Sequence, residues 1–202
     1  LAVPAVNRGG EGGNVYVAST GKFIMNGGTI TGNIAQSGGG GGVVVGYSDW
    51  DTYEFFAGRF EMYDGVITGN RATAGEDYYI GYGGGVNIYE GTFCLCGGEI
   101  SNNHADGQGG GVYVSFGWNG TGMVASGDPV VKDNTRGTGA VPETDNVAIE
   151  HWGDYCVITI GDEGLDPEAS IGVSVYNAMN YDTLEKIPCL EPFTSGLSDN
   201  GG

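Results

Sequence analysis

The nine residues MNGGTITGN at 25–33 return as MYDGVITGN at 62–70 and as LCGGEISNN at 95–103, and a degraded fourth copy, SGDPVVKDN, ends at Asn134. Aligned on their last residue, the copies follow one another at steps of 37, 33 and 31 residues. Self-similarity at such a step means that each copy meets the surroundings its predecessor met, which is the condition of a stacked repeat. Asn33, Asn70, Asn103 and Asn134 form one column. Ten positions earlier stand Phe23, Phe60, Phe93 and Val124; eight earlier, Met25, Met62, Leu95 and Ser126; three earlier, Ile30, Ile67, Ile100 and Val131. Apolar letters hold their place while the polar ones drift, so the apolar columns are expected to point inward and stack as ladders.

A second motif precedes each copy: GGNVYV at 12–17, GGVVV at 41–45, GGVNI at 84–88 and GGVYV at 110–114. Its alternation has the period of a strand, with Val15 and Val17, Val43 and Val45, Val86 and Ile88, and Val112 and Val114 on one face. Each repeat therefore reads as three brief strands joined by Gly, Asn and Asp turns, the pattern of a parallel β-solenoid whose coils lie about 4.8 Å apart. Glycine, 42 of 202 residues, lacks the every-third spacing of collagen and is expected at sharp corners. The Asn column suits left-handed corners, with side-chain amides bonding along the stack.

GGNVYVASTGKFIMNGGTITGNIA and GGGVNIYEGTFCLCGGEISNNHA resemble the repeats of right-handed parallel β-helix proteins of the bacterial surface, the adhesin-like proteins of gut Firmicutes. The text from VVKDNTRG to FTSGLSDN resembles the segment that closes such arrays. The resemblance implies an all-β right-handed parallel β-helix, extracellular and surface-displayed, with a structural or adhesive role, bounded at 10–138. Residues 139–202 are then closing coils packed on the solenoid, and 1–9 are an extension that caps the first coil or pairs with a neighbour as a donor strand. Open coil ends present strand edges, which makes head-to-tail stacking of the chain on itself the natural mode of assembly.

Seven basic residues face 25 acidic ones, a formal charge of −18, so the field repels phosphate backbones and anionic membranes. Nucleic acid is not expected as a partner, nor is membrane insertion, since no stretch reaches the length of an apolar span. The partners expected are another copy of the chain or a surface glycan or protein.

Insertions in a solenoid gather at its edges and often form its binding face. GYSDWDTYEFFAG, 46–58, brings Tyr47, Trp50, Tyr53, Phe55 and Phe56; SFGWNGTG, 115–122, brings Phe116 and Trp118; GEDYYIGYG, 75–83, brings Tyr78, Tyr79 and Tyr82. The first two occupy the same connection of their coils and are expected at one edge. This aromatic edge reads as a local lid, as an interface with another copy, or as a platform on which sugar rings stack. The last reading makes the chain a carbohydrate-binding module centred on Trp50 and Trp118. Asp49, Asp51 and Glu54 are either hydroxyl acceptors, calcium ligands or solvated turn residues, and the acidic run at 161–168 allows the same choice. No other cofactor is expected.

Cys94, Cys96, Cys156 and Cys189 are an even set in a chain read as extracellular. With Phe93 and Leu95 inward, Cys94 and Cys96 are expected outward, each bridged to Cys156 or Cys189; a zinc site is the alternative, although the spacing is not a standard one. Polysaccharide lyases and hydrolases share the β-helix, but no paired acidic motif or basic cluster of those enzymes is present. His104 reads as an exposed corner residue and His151 belongs to no triad. The chain is expected not to be an enzyme.

Overall fold

The structure, a computed structural model, describes residues 6–8, 13, 15–17, 20–49, 54–75, 80–115, 122–150, 157–176, 179–180 and 185–186. Most of their strands stack into three parallel sheets, two antiparallel pairs stand apart at Tyr47–Asp49 with Glu54–Phe56 and at Met179–Asn180 with Glu185–Lys186, and no helix is among them. Sheet A runs Val6–Arg8, Ile34–Gln36, Arg71–Thr73, His104–Ala105, Thr135–Arg136 and, antiparallel, Glu143–Thr144. Sheet B runs Val15–Val17, Val43–Val45, Val86–Ile88, Val112–Val114, Val147–Glu150 and Val173–Tyr176. Sheet C stacks the nine-residue motifs, from Lys22–Thr31 and Gly58–Thr68 to the paired segments Gly91–Leu95 with Glu99–Ser101 and Gly122–Gly127 with Val130–Lys132. It ends on Val157–Leu165 with Ser170–Ile171. The chain visits B, C and A in turn, so the molecule is a parallel β-solenoid, as the periodicity requires. Val6–Arg8, within the N-terminal extension, pairs in register with Ile34–Gln36 and is the first rung of sheet A.

The register explains the repeat. Phe23, Phe60 and Phe93 are aligned across sheet C, as are Met25, Met62 and Leu95, and Ile30, Ile67, Ile100 and Val131. Phe60 stacks on Phe23 with centroids 5.0 Å apart and on Phe93 at 4.7 Å. The fourth copy departs from expectation by one residue. Met123, not Val124, continues the Phe column, and Ala125, not Ser126, continues the Met column. Ala125 stands one residue farther from Val131 than Leu95 does from Ile100, so the motif aligned on its Asn was out of step in its first half.

Sheet B was expected to bury one face; from its second to its fifth rung it buries both, while Tyr16 in the first rung keeps its outward side chain half exposed. Val44, Asn87, Tyr113 and Ala148 occupy its outward row, yet all are buried. The glycine corner folds back over them: a Cβ on Gly39 would lie 2.0 Å from Asn87 Nδ2, and Tyr82 stacks on Tyr113 at 4.5 Å.

The Asn column is the polar counterpart of the core. Asn33 Nδ2 donates to Asn70 Oδ1 at 2.8 Å, Asn70 to Asn103 at 3.0 Å and Asn103 to Asn134 at 3.0 Å. Each acceptor oxygen also takes the backbone N–H of the Asn one coil back. The left-handed backbone falls one residue earlier than expected, on Gly32, Gly69, Asn102 and Asp133. That placement lets the following Asn turn its side chain into the stack, where burial makes every amide bond count.

Candidate functional site

Parallel stacking in sheet A ends at a hairpin. Thr135–Arg136 pairs antiparallel with Glu143–Thr144, making a hairpin that ends sheet A while sheets B and C add a further rung. Local departure from a repeat is where function is to be sought.

The hairpin carries its own substitutes for the coil that sheet A lacks. Gly40 N donates to Tyr82 O at 2.8 Å and Gly83 N to Gln108 O at 3.0 Å, each corner glycine bonding to the carbonyl one coil on. Gly109 N finds instead the carboxylate of Asp145, Oδ2 at 2.8 Å. The neighbouring Asn146 ends the amide ladder: its Oδ1 accepts from Asn134 N and Nδ2, both at 3.1 Å. Arg136 stands in register with Ala105 and Ala72, in a column of small buried residues, with its Nε 3.8 Å from Asp145 Oδ2 and its Nη2 on Glu143. The echo of KDN, 132–134, in TDN, 144–146, was the sequence signal for this cap.

Between the hairpin and the corner residues 80–82 and 106–108 lies a groove of about 250 Å³. Tyr82 lines it, stacked on Tyr113, whose hydroxyl donates to Glu150 Oε2 at 2.6 Å. Burial, with the Glu150 charge second, lifts the Tyr82 phenol above its usual range. Ile80 and Val141 bring apolar surface, 50% and 83% exposed, while Gln108, Arg136, Asp106 and Glu143 bring donors and acceptors. Tyr82 belongs to one of the aromatic insertions; Gln108, Val141 and Glu143 were not singled out, because only tertiary packing sets them beside it.

Asp106 joins the groove to the outward face of sheet A. Its Oδ1 takes Arg71 Nη2 at 2.8 Å and lies 3.4 Å from His104 Nε2, and its Oδ2 takes the Ala74 N–H. His104 Nδ1 is hydrogen-bonded to Thr135 Oγ1 at 2.9 Å. His104 is thus partly buried rather than freely exposed, held in a polar ladder across three coils. Five basic residues among those described are paired: Lys22 and Arg59 with Glu61, Lys132 with Glu99, Arg71 with Asp106, and Arg136 with Glu143.

The aromatic edge is only partly described. Tyr47–Asp49 and Glu54–Phe56 form an antiparallel hairpin in which Tyr47 faces Phe56, Ser48 faces Phe55 and Asp49 faces Glu54. Trp50, Asp51, Tyr53, Phe116 and Trp118 lie outside the described residues. Both insertions lie between a strand of sheet B and the next strand of sheet C. Among the described residues no three His, Cys, Asp or Glu side chains converge on a metal position.

Cys94 is aligned with Glu61 and Val124 on the outward side, but is buried at 6% exposure, and that burial pushes its thiol pKa upward. Cys94 and Cys96 are free thiols, so the crossing disulfides expected of them are not formed in this structure. Cys156 and Cys189 lie outside the described residues.

Comparison with protein families, curated proteins and solved structures yields no match to this chain. The assignment to the β-solenoid class therefore rests on strand register alone.

Proposed function

We propose that the chain is an extracellular, bacterial surface-displayed solenoid with a structural or adhesive role, and that it is not an enzyme. The observation that carries the reading is the in-register stack itself. The recurring Phe, Ile, Val and Asn positions lie in the core or the amide ladder, which makes the repeat a device for rigidity rather than for chemistry. The formal charge of −18 supports solubility at a crowded surface, and the repeat text resembles surface β-helix proteins. Variation is left to the edges, where a partner is met.

Antibody labelling and protease shaving of intact source cells test the location. Labelling of unpermeabilised cells is the expected result, and recovery of the chain only from the cytosol overturns the reading. Negative-stain microscopy at several concentrations tests assembly. Discrete particles mean that the coil ends are closed, as Asp145 and Asn146 close sheet A, and fibres of uniform width mean head-to-tail stacking.

A further inference from the structure

The groove under the 135–144 hairpin combines features that select one kind of ligand. Its volume of about 250 Å³ falls below the range of about 300–1,000 Å³ usual for drug-sized molecules, so it holds one ring and not an extended chain. Its charged groups are already matched: Asp106 with Arg71, and Glu143 and Asp145 with Arg136. A ligand gains little there by carrying a net charge, and an anion meets a molecule of charge −18. The paired carboxylates keep lone pairs for hydroxyl donors, and the Gln108 amide both donates and accepts. Ile80 and Val141 keep large apolar side chains in water at the rim. Tyr82, fixed by its stack on Tyr113 and by the Tyr113–Glu150 bond, supplies a rigid wall.

We infer that this groove binds a single neutral sugar ring, its hydroxyls on Gln108, Asp106 and Glu143 and its apolar face against Ile80 and Val141. The groove lies on the connection from sheet A to sheet B, whereas the insertions at 46–58 and 115–122 connect sheet B to sheet C, and the inference does not depend on where the protein is displayed.

Ligand-observed NMR and calorimetry on the full chain test it with methyl β-glucoside, methyl β-galactoside, methyl α-mannoside, N-acetylglucosamine and, as the anionic control, glucuronate. At least one neutral probe binds saturably, with a Kd of order millimolar as expected for a small ligand. A Gln108→Ala, Val141→Asp double variant weakens it by about tenfold or more, equivalent to 1.4 kcal/mol. Both changes are at the surface, and an unchanged melting temperature verifies the fold; Ile80→Ser gives a second, independent loss. A Trp50→Ala, Trp118→Ala variant leaves the binding intact. Absence of saturable binding by every neutral probe overturns the inference. So does retained affinity in the groove variants, loss confined to the tryptophan variant, or glucuronate binding as tightly as the neutral sugars. None of these outcomes bears on surface display, which cell labelling decides.

Discussion

The backbone N–H of Gly109 donates to Asp145 Oδ2 at 2.8 Å, in the place where the corner glycines of earlier coils bond to a backbone carbonyl. A side chain thus does the work of a missing coil. Asp145→Ala leaves a buried N–H without its acceptor, removes the carboxylate beside Arg136 and should cost about 2–3 kcal/mol in urea unfolding. Asp145→Asn keeps an oxygen for Gly109 and should recover more than half of the loss. Equal effects of the two variants would show that the bond to Gly109 is not what matters.

Asn103 sits in the middle of the amide ladder, receiving Asn70 N and Nδ2 while donating to Ile67 O, Ser101 O and Asn134 Oδ1. Asn103→Ala strands several buried groups at once and should cost about 3–5 kcal/mol, since each unsatisfied group costs about 1–3. Asn146, at the partly buried end of the ladder, should lose about 1–2 kcal/mol on the same change because water replaces it. Chemical unfolding of the two variants side by side checks the order.

Phe60 is fully buried between Phe23 and Phe93, whereas Phe23 is only partly covered. Phe60→Ala should cost about 3–5 kcal/mol, and Phe23→Ala clearly less. Similar losses at both positions would mean that the stack ends deeper in the molecule than Phe23.

Gly46 holds a φ of +80° at the corner after Val43–Val45, and a Cβ there would lie 1.4 Å from the Glu90 carbonyl oxygen. Gly46→Ala must push two coils apart and should prevent folding or lower stability by more than about 3 kcal/mol. Gly28 has a φ of +89° with open space around it, so Gly28→Ala carries only the conformational cost of about 1–2 kcal/mol. Thermal melts distinguish the clash from the dihedral.

Glu61 is held by Lys22 Nζ at 2.8 Å and by Arg59, and these hydrogen bonds lower its pKa in the folded state. A depressed folded pKa gives stability that is present above the unfolded value of about 4.3 and is lost as pH falls through the folded pKa. The stability difference between the parent and Glu61→Gln should therefore be constant from neutral pH to about 5, about 1 kcal/mol for a buried carboxylate held by two half-exposed cations, and vanish in stronger acid. Taking the difference removes the opposite effect of acid, which relieves the repulsion of 25 acidic residues. A difference that grows toward acid would contradict the pairing.

The inward columns were legible because stacking forces like to meet like: Phe93 lies over Phe60, and Ile100 over Ile67, whatever the polar letters between them. The alignment slipped at Val124 because the fourth motif has one residue more between its core positions, and its Asn anchored only the second half. The site was far less legible. Tyr82 stood out as an aromatic in an insertion, but Gln108, Val141 and Glu143 have no pattern that marks them, since nothing repeats around them.

The sequence by itself determined the solenoid, its step and its ladders, because those depend on contacts each coil makes with a copy of itself, which periodicity records. Only the tertiary structure decided where stacking stops in sheet A, that the outward row Val44, Asn87, Tyr113 and Ala148 of sheet B is covered, and which residues share a groove. Those features arise from contacts between segments that do not repeat, such as Asp145 with Gly109 and Tyr82 with Tyr113, and such contacts leave no period to read.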